Sequence, residues 1–229
     1  MCAGTAVGAR ADTVLVPAAR DNTLFVDPAG SLSSGAGTGL FAGNNSASNT
    51  RRALVFFDVA AAIPAGATVD SVELRLNASS APNTTPQLFT VHRVLHRWGE
   101  GSSVSTGGAG APSAPGDATW IHRFYPDSLW TTPGGDFDPA PHAVTTIGPL
   151  GLHTWSGEAL TLDVTGWFAS PADNFGWLVR GNEDAASTVR LFDSRESDVE
   201  PILVVHFTPT NNPTRRQTWG QVKSLYRAP

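Results

Sequence analysis

The stretch Val69-Asp70-Ser71-Val72-Glu73-Leu74-Arg75-Leu76 alternates apolar and polar side chains through its second half. A strand sends successive side chains to opposite faces, so Val72, Leu74 and Leu76 share one face while Glu73 and Arg75 share the other. This is the pattern of an antiparallel strand with one dry face and one wet face. Upstream, Ala53-Leu54-Val55-Phe56-Phe57-Asp58-Val59 places Ala53, Val55, Phe57 and Val59 on one side and Leu54, Phe56 and Asp58 on the other. Both sides are largely apolar, as a central strand covered on both faces requires. The intervening Ile63-Pro64-Ala65-Gly66-Ala67-Thr68 carries the Pro and Gly of a turn.

Further short segments extend the pattern: Val14–Val16, Thr23–Val26, Leu88–Leu95, Leu160–Val164, Gly176–Val179, Val189–Phe192 and Ile202–Phe207. Short strands separated by turn residues predict an all-β protein, a jelly-roll-type antiparallel β-sandwich of nine or ten strands. The loops are expected at Asp27–Asn49 and at Gly99–Gly116, where Gly, Ser, Ala, Thr and Pro leave little to pack. After Pro209 the composition changes. Residues 209–214 read as a linker, and 215–229 as a short amphipathic C-terminal helix with Trp219, Val222 and Tyr226 on one face. A lone helix of that length is marginal in water, so it is expected to dock, on its own sandwich or on a neighbour in a homo-oligomer or filament.

The chain has 229 residues, and a sandwich of this length is commonly one domain, here residues 11–208 after a tail at 1–10. Its net charge of −5 argues against a nucleic-acid partner, which needs a basic face. No apolar run approaches the length of a transmembrane helix. The single cysteine excludes an internal disulfide and a cysteine-cluster metal site. Cys2, followed by Ala3 and Gly4, reads either as an incidental tail residue or as the lipid-modified cysteine of a bacterial lipoprotein.

The order of segments is similar to a known family. Arg51–Asp58, then Ile63–Leu74, then Val91-His92-Arg93-Val94 ahead of Trp98, then Gly134-Gly135-Asp136-Phe137, Asn174–Leu178, Phe192-Asp193-Ser194-Arg195-Glu196 and Pro201–Phe207 resemble the DNRLRE-type, disaggregatase-related modules. The resemblance spans residues 10 to 208. It implies a secreted or cell-surface sandwich, an accessory module of extracellular proteins, some of which bind polysaccharide. Thr218–Arg227 falls outside it.

Several residue groups could carry chemistry. Asp136 and Asp138 beside Gly134-Gly135 offer two hard carboxylates for a structural Ca2+ of the kind jelly rolls hold, without a full calcium-loop pattern. His92 and His96 lie four residues apart, about 13 Å along a strand, too far to share a metal. No G-x-S-x-G elbow or triad signature is present. His122-Arg123-Phe124-Tyr125 contains the base and cation types of a polysaccharide lyase. Glycan binding demands less: flat aromatic faces with polar groups for hydroxyls. Trp120 and Trp130, in irregular sequence beside His122, Arg123 and Tyr125, are the expected stacking platform, while Trp98, Trp155, Trp167 and Trp177 abut strands and belong to the core. Arg195 is expected to pair with a carboxylate and pin the last strands. The functional expectation is a non-catalytic extracellular module for polysaccharide binding or adhesion, with a structural subunit of a surface layer or filament and a polysaccharide-degrading enzyme as the alternatives.

Overall fold

The computed structural model describes residues 10–210. Residues 1–9 of the expected tail at 1–10, with Cys2, and the helix face of Trp219, Val222 and Tyr226 lie outside the described residues. The strands run β1 (Asp12–Pro17), β2 (Arg20–Phe25), β3 (Leu32–Ser33), β4 (Gly39–Asn44), β5 (Thr50–Phe56), β6 (Thr68–Ser80), β7 (Gln87–Arg93), β8 (Ala111–Pro112), β9 (His122–Phe124), β10 (Ser128–Leu129), β11 (Ala143–Ile147), β12 (Gly151–Ser156), β13 (Trp177–Arg180), β14 (Arg190–Asp193) and β15 (Ile202–Thr208). Two helices interrupt them, α1 (Val59–Ala62) and α2 (Glu158–Ala169).

Eight strands form two opposed antiparallel sheets, β1-β15-β6-β12 and β5-β13-β7-β11. Counted along the chain, they read 1-8-3-6 and 2-7-4-5, the jelly-roll order. Leu74 fixes the centre of the first sheet, paired with Leu203 on one edge and Trp155 on the other. Val55 does the same in the second, between Asp21 of β2 and Trp177 of β13. β4 stitches the sheets together: Gly39–Ala42 pair with β14 on the edge of the first sheet, and Gly43 and Asn44 pair with β5 of the second. The segment Asp27–Asn49, expected as a loop, therefore contains the strand that curls one sheet onto the other.

The main core lies between the sheets and holds Val72, Leu74, Leu76, Ala53, Val55 and Phe57, the inward sets of both diagnostic stretches. The outward Leu54 is also fully buried. A second apolar cluster covers it, in which Leu24, Leu54 and Leu178 of the sheet meet Val94, Trp98, Ala118 and Trp130 of the insertion after β7. That insertion includes Gly99–Gly116, which is not the free loop its composition suggested. Backbone and side-chain bonds substitute for apolar packing: Asp117 accepts the backbone N–H of Ser102 at 2.8 Å and of Ala114 at 2.7 Å, and Ala36 N donates to Ser103 O at 2.9 Å. The approach is so close that a Cβ on Gly35 would overlap the Glu100 carbonyl.

One element differs in kind. Leu160–Val164 is not a strand but the first half of α2. Its buried residues are Leu160, Asp163, Val164 and Trp167, the i, i+3, i+4, i+7 set of a helix, whereas Leu162 is 63% exposed. The β-branched Thr161, Val164 and Thr165 favour a strand locally, and burial of the helical stripe against β6 overrides them. Among the described residues no helix is long and apolar enough to cross a membrane.

Candidate functional site

A groove of about 430 Å3 opens between α2 and the chain leaving β7. Helical spacing puts Leu162 and Gly166, and Asp163 and Trp167, one turn apart on the face that forms one wall. Arg93, at the end of β7 opposite Trp177, with Leu95 and Phe175, forms the other. Leu95 and Leu162 are exposed apolar rims, and Arg93 is half-buried in the floor.

Asp163 organises the polar floor. Its side chain is buried, one oxygen accepts Trp177 Nε1–H at 2.8 Å, and the same oxygen lies 2.6 Å from His142 Nδ1. Burial pushes the Asp163 carboxyl above its usual range, opposed by these hydrogen bonds and by Arg93. His142 Nε2 faces Asp138 Oδ2 at 3.4 Å. The Asp138 carboxyl is held below its usual range, chiefly by the Ala140 backbone N–H. Arg93 bridges the two carboxylates only at long range, 3.7 Å to Asp163 and 3.9 Å to Asp138, beyond hydrogen-bond distance. Its Nε is buried without a partner. That nitrogen is closed to a ligand, but the two Nη groups are oriented by charge and make no hydrogen bond among the described residues.

Chemically, the groove offers one guanidinium, the carboxylates of Asp163 and Asp173 and the Ser170 hydroxyl between apolar rims. His142 does not line it, and both imidazole nitrogens face carboxylates. The arrangement suits hydrogen bonding to a polyhydroxylated ligand.

The residues singled out from sequence lie elsewhere, in the insertion around the β9–β10 hairpin. Trp130 does not form a stacking face: it is 5% exposed, packed in the second core, with its indole N–H donating to Thr119 O at 3.0 Å. Trp120 is half-buried, and the Arg52 guanidinium lies 4.9 Å from its ring centroid. The aromatics expected to stack on sugar serve instead to seal Leu54 and Leu178. His122 is buried, edge-on to Tyr125 at 5.1 Å, and bonded to Thr119 Oγ1. Burial pulls its imidazole below the usual value. Arg123 turns away to Leu129 O at 3.0 Å. His122 and Tyr125 are brought together; Arg123 is not aimed at them.

Asp136 and Asp138 also separate in role. The two oxygens of Asp136 accept the Thr131 and Thr132 backbone N–H groups at 2.8 and 2.9 Å, closing a turn, whereas Asp138 faces His142. Among the described residues no group of three or more His, Cys, Asp or Glu side chains is placed to hold a metal ion. Trp98, Trp155, Trp167 and Trp177 are core as expected, although Trp167 is buried by helix α2 and not beside a strand. Arg195 lies 3.4 Å from Glu100 and 3.5 Å from Glu196, tying the end of β14 to the insertion.

Sequence reasoning missed Asp163. Its one signal was an acid inside Leu160-Thr161-Leu162-Asp163-Val164, a position a half-buried strand would expose and a helix buries. No protein-family model matches the chain, and no curated protein matches it.

Proposed function

We propose that this chain is a non-catalytic, extracellular or cell-surface β-sandwich module that binds polysaccharide or mediates adhesion to it, through the groove at Arg93. The observation that carries this reading is the Arg93 guanidinium, whose Nη groups stand beyond hydrogen-bond distance from Asp163 and Asp138, in an open, amphipathic groove that Asp163, Asp173 and Ser170 also line. Sugar recognition needs donors and acceptors fixed on a rigid frame beside apolar surface, and the frame here is strand β7 and helix α2. The order of motifs resembling DNRLRE-type modules supports the same class. No histidine lines the groove, and His142, held between Asp163 and Asp138, lies outside it, which favours binding over bond cleavage.

Affinity electrophoresis of the full chain through gels cast with a panel of soluble polysaccharides tests the reading. At least one polymer retards the wild type, Arg93→Ala restores free mobility, and no reducing ends appear on incubation. Unchanged mobility in every gel, or retardation that Arg93→Ala leaves intact, contradicts it.

A further inference from the structure

At the opposite end of β5 from the groove, Arg51 presents a different problem of charge. The residue is 7% exposed, and its guanidinium donates to carbonyls: Nε to Gly108 at 2.8 Å, Nη1 to Asn49 at 2.6 Å, and Nη2 again to Gly108. Its Cζ lies 5.7 Å from the Phe25 ring centroid. No carboxylate among the described residues offsets the charge, and burial alone pulls the guanidinium down from its usual value. Neutral carbonyls satisfy donors but supply only partial charge, so a buried cation without a counter-ion retains a strong attraction for an anion.

Arg190 is similar but fully enclosed. It is fully buried and donates to the carbonyls of Thr188, Val189, Thr85 and Ile147. Four carbonyls enclose its guanidinium, so it is a clamp. Arg51 instead lines a cavity of about 220 Å3 with Phe25, Leu32, Asn45, Asn49 and Thr50, and no acidic residue faces that space. The Asn45 side-chain oxygen is engaged by the Ala47 and Asn49 backbone N–H groups at 3.0 and 2.9 Å, which leaves its amide N–H groups to donate. Charge, donors and room converge on one ligand chemistry.

We infer that the Arg51 cavity is a binding site for a small oxyanion, a carboxylate or sulfate group, separate from the groove at Arg93. Gly108 takes up the Nε–Nη2 edge, so the second N–H groups of Nη1 and Nη2 are the pair that matches two oxygens of such a group, and Phe25 supplies an apolar floor. The site does not depend on the polysaccharide reading, since it shares no residue with the groove.

Thermal-shift and calorimetric titrations of the full chain with sodium sulfate, sodium glucuronate and glucose, at constant ionic strength set with sodium chloride, test it. One or both anions raise the melting temperature saturably and glucose does not. A response to glucuronate alone assigns the carboxylate, and a response to both assigns the shared oxyanion chemistry. Arg51→Gln weakens the response by at least about tenfold, while Arg93→Ala leaves it unchanged. Ala109→Trp, at the exposed mouth of the cavity, blocks binding with Arg51 retained and so covers the case in which Arg51→Gln does not fold. Absence of a response in the wild type, or a response that survives both Arg51→Gln and Ala109→Trp, overturns the inference.

Discussion

Asp21 is the residue whose environment departs furthest from water. It is fully buried, one oxygen accepts the Arg195 backbone N–H at 2.7 Å, and the other has no partner. Glu100 and Glu196 add negative charge beside it, and burial, the larger effect, pushes its carboxyl from 3.8 up to about 8. The folded state therefore keeps a proton that the unfolded chain releases near pH 4. The stability this group allows is complete below that pH and is lost as pH rises toward 8. Asp21→Asn keeps an oxygen for Arg195 N and removes the titration. Urea unfolding at several pH values is expected to show the variant gaining on the wild type from pH 4 to 8, by a few kcal/mol at the upper end. A constant difference across that range contradicts the assignment. Arg190→Ala orphans four carbonyls and leaves a cavity, and is expected to cost about 3 kcal/mol or more in the same assay. At this scale the sequence was legible for Arg195, whose carboxylate partners stand as expected. It did not assign Asp21 and Arg190 these roles, because they depend on contacts from distant segments, the Arg195 backbone N–H for Asp21 and the Thr85 and Ile147 carbonyls for Arg190.

Among the elements, α2 separates two readings of the same residues. A strand would bury Leu160, Leu162 and Val164 together; the helix buries Leu160 and Val164 but turns Leu162 out. Leu160→Ala is expected to cost about 3 kcal/mol and Leu162→Ala less than about 0.5 kcal/mol in denaturant unfolding, whereas equal costs would restore the strand. The diagnostic strands β5 and β6 were legible because period-two patterns report burial directly. α2 was not, since five residues of mixed β-branched and leucine sequence fit both periods. The insertion was misread for a different reason: its polar stretch is held by Asp117 and by backbone pairing, which composition does not record. Its aromatics face inward over Leu54 and Leu178, so Trp98→Ala should open the second core and cost about 3–5 kcal/mol, with new protease cleavage after β7 as a separate sign of a loosened insertion.

For the molecule as a whole, the jelly-roll order leaves one sheet sealed by the insertion and sets two concave sites at opposite ends of β5. The groove at Arg93 joins residues from β7, α2 and the segment before β13, three regions whose meeting no local pattern announces. The fold class was legible from local pattern, whereas adjacency in the chain did not reveal that Trp130 packs in the second core and that Trp120 is half-buried beside Arg52. Sugar is expected to contact the groove and not the β9–β10 hairpin. Backbone amide mapping by NMR, with an oligosaccharide of whichever polymer retards the protein, tests it most directly. The expected shifts concentrate at Arg93, Leu95, Leu162, Asp163 and Phe175 and vanish in Arg93→Ala. Shifts centred on Trp120, His122 and Tyr125, with the groove unmoved, would contradict it.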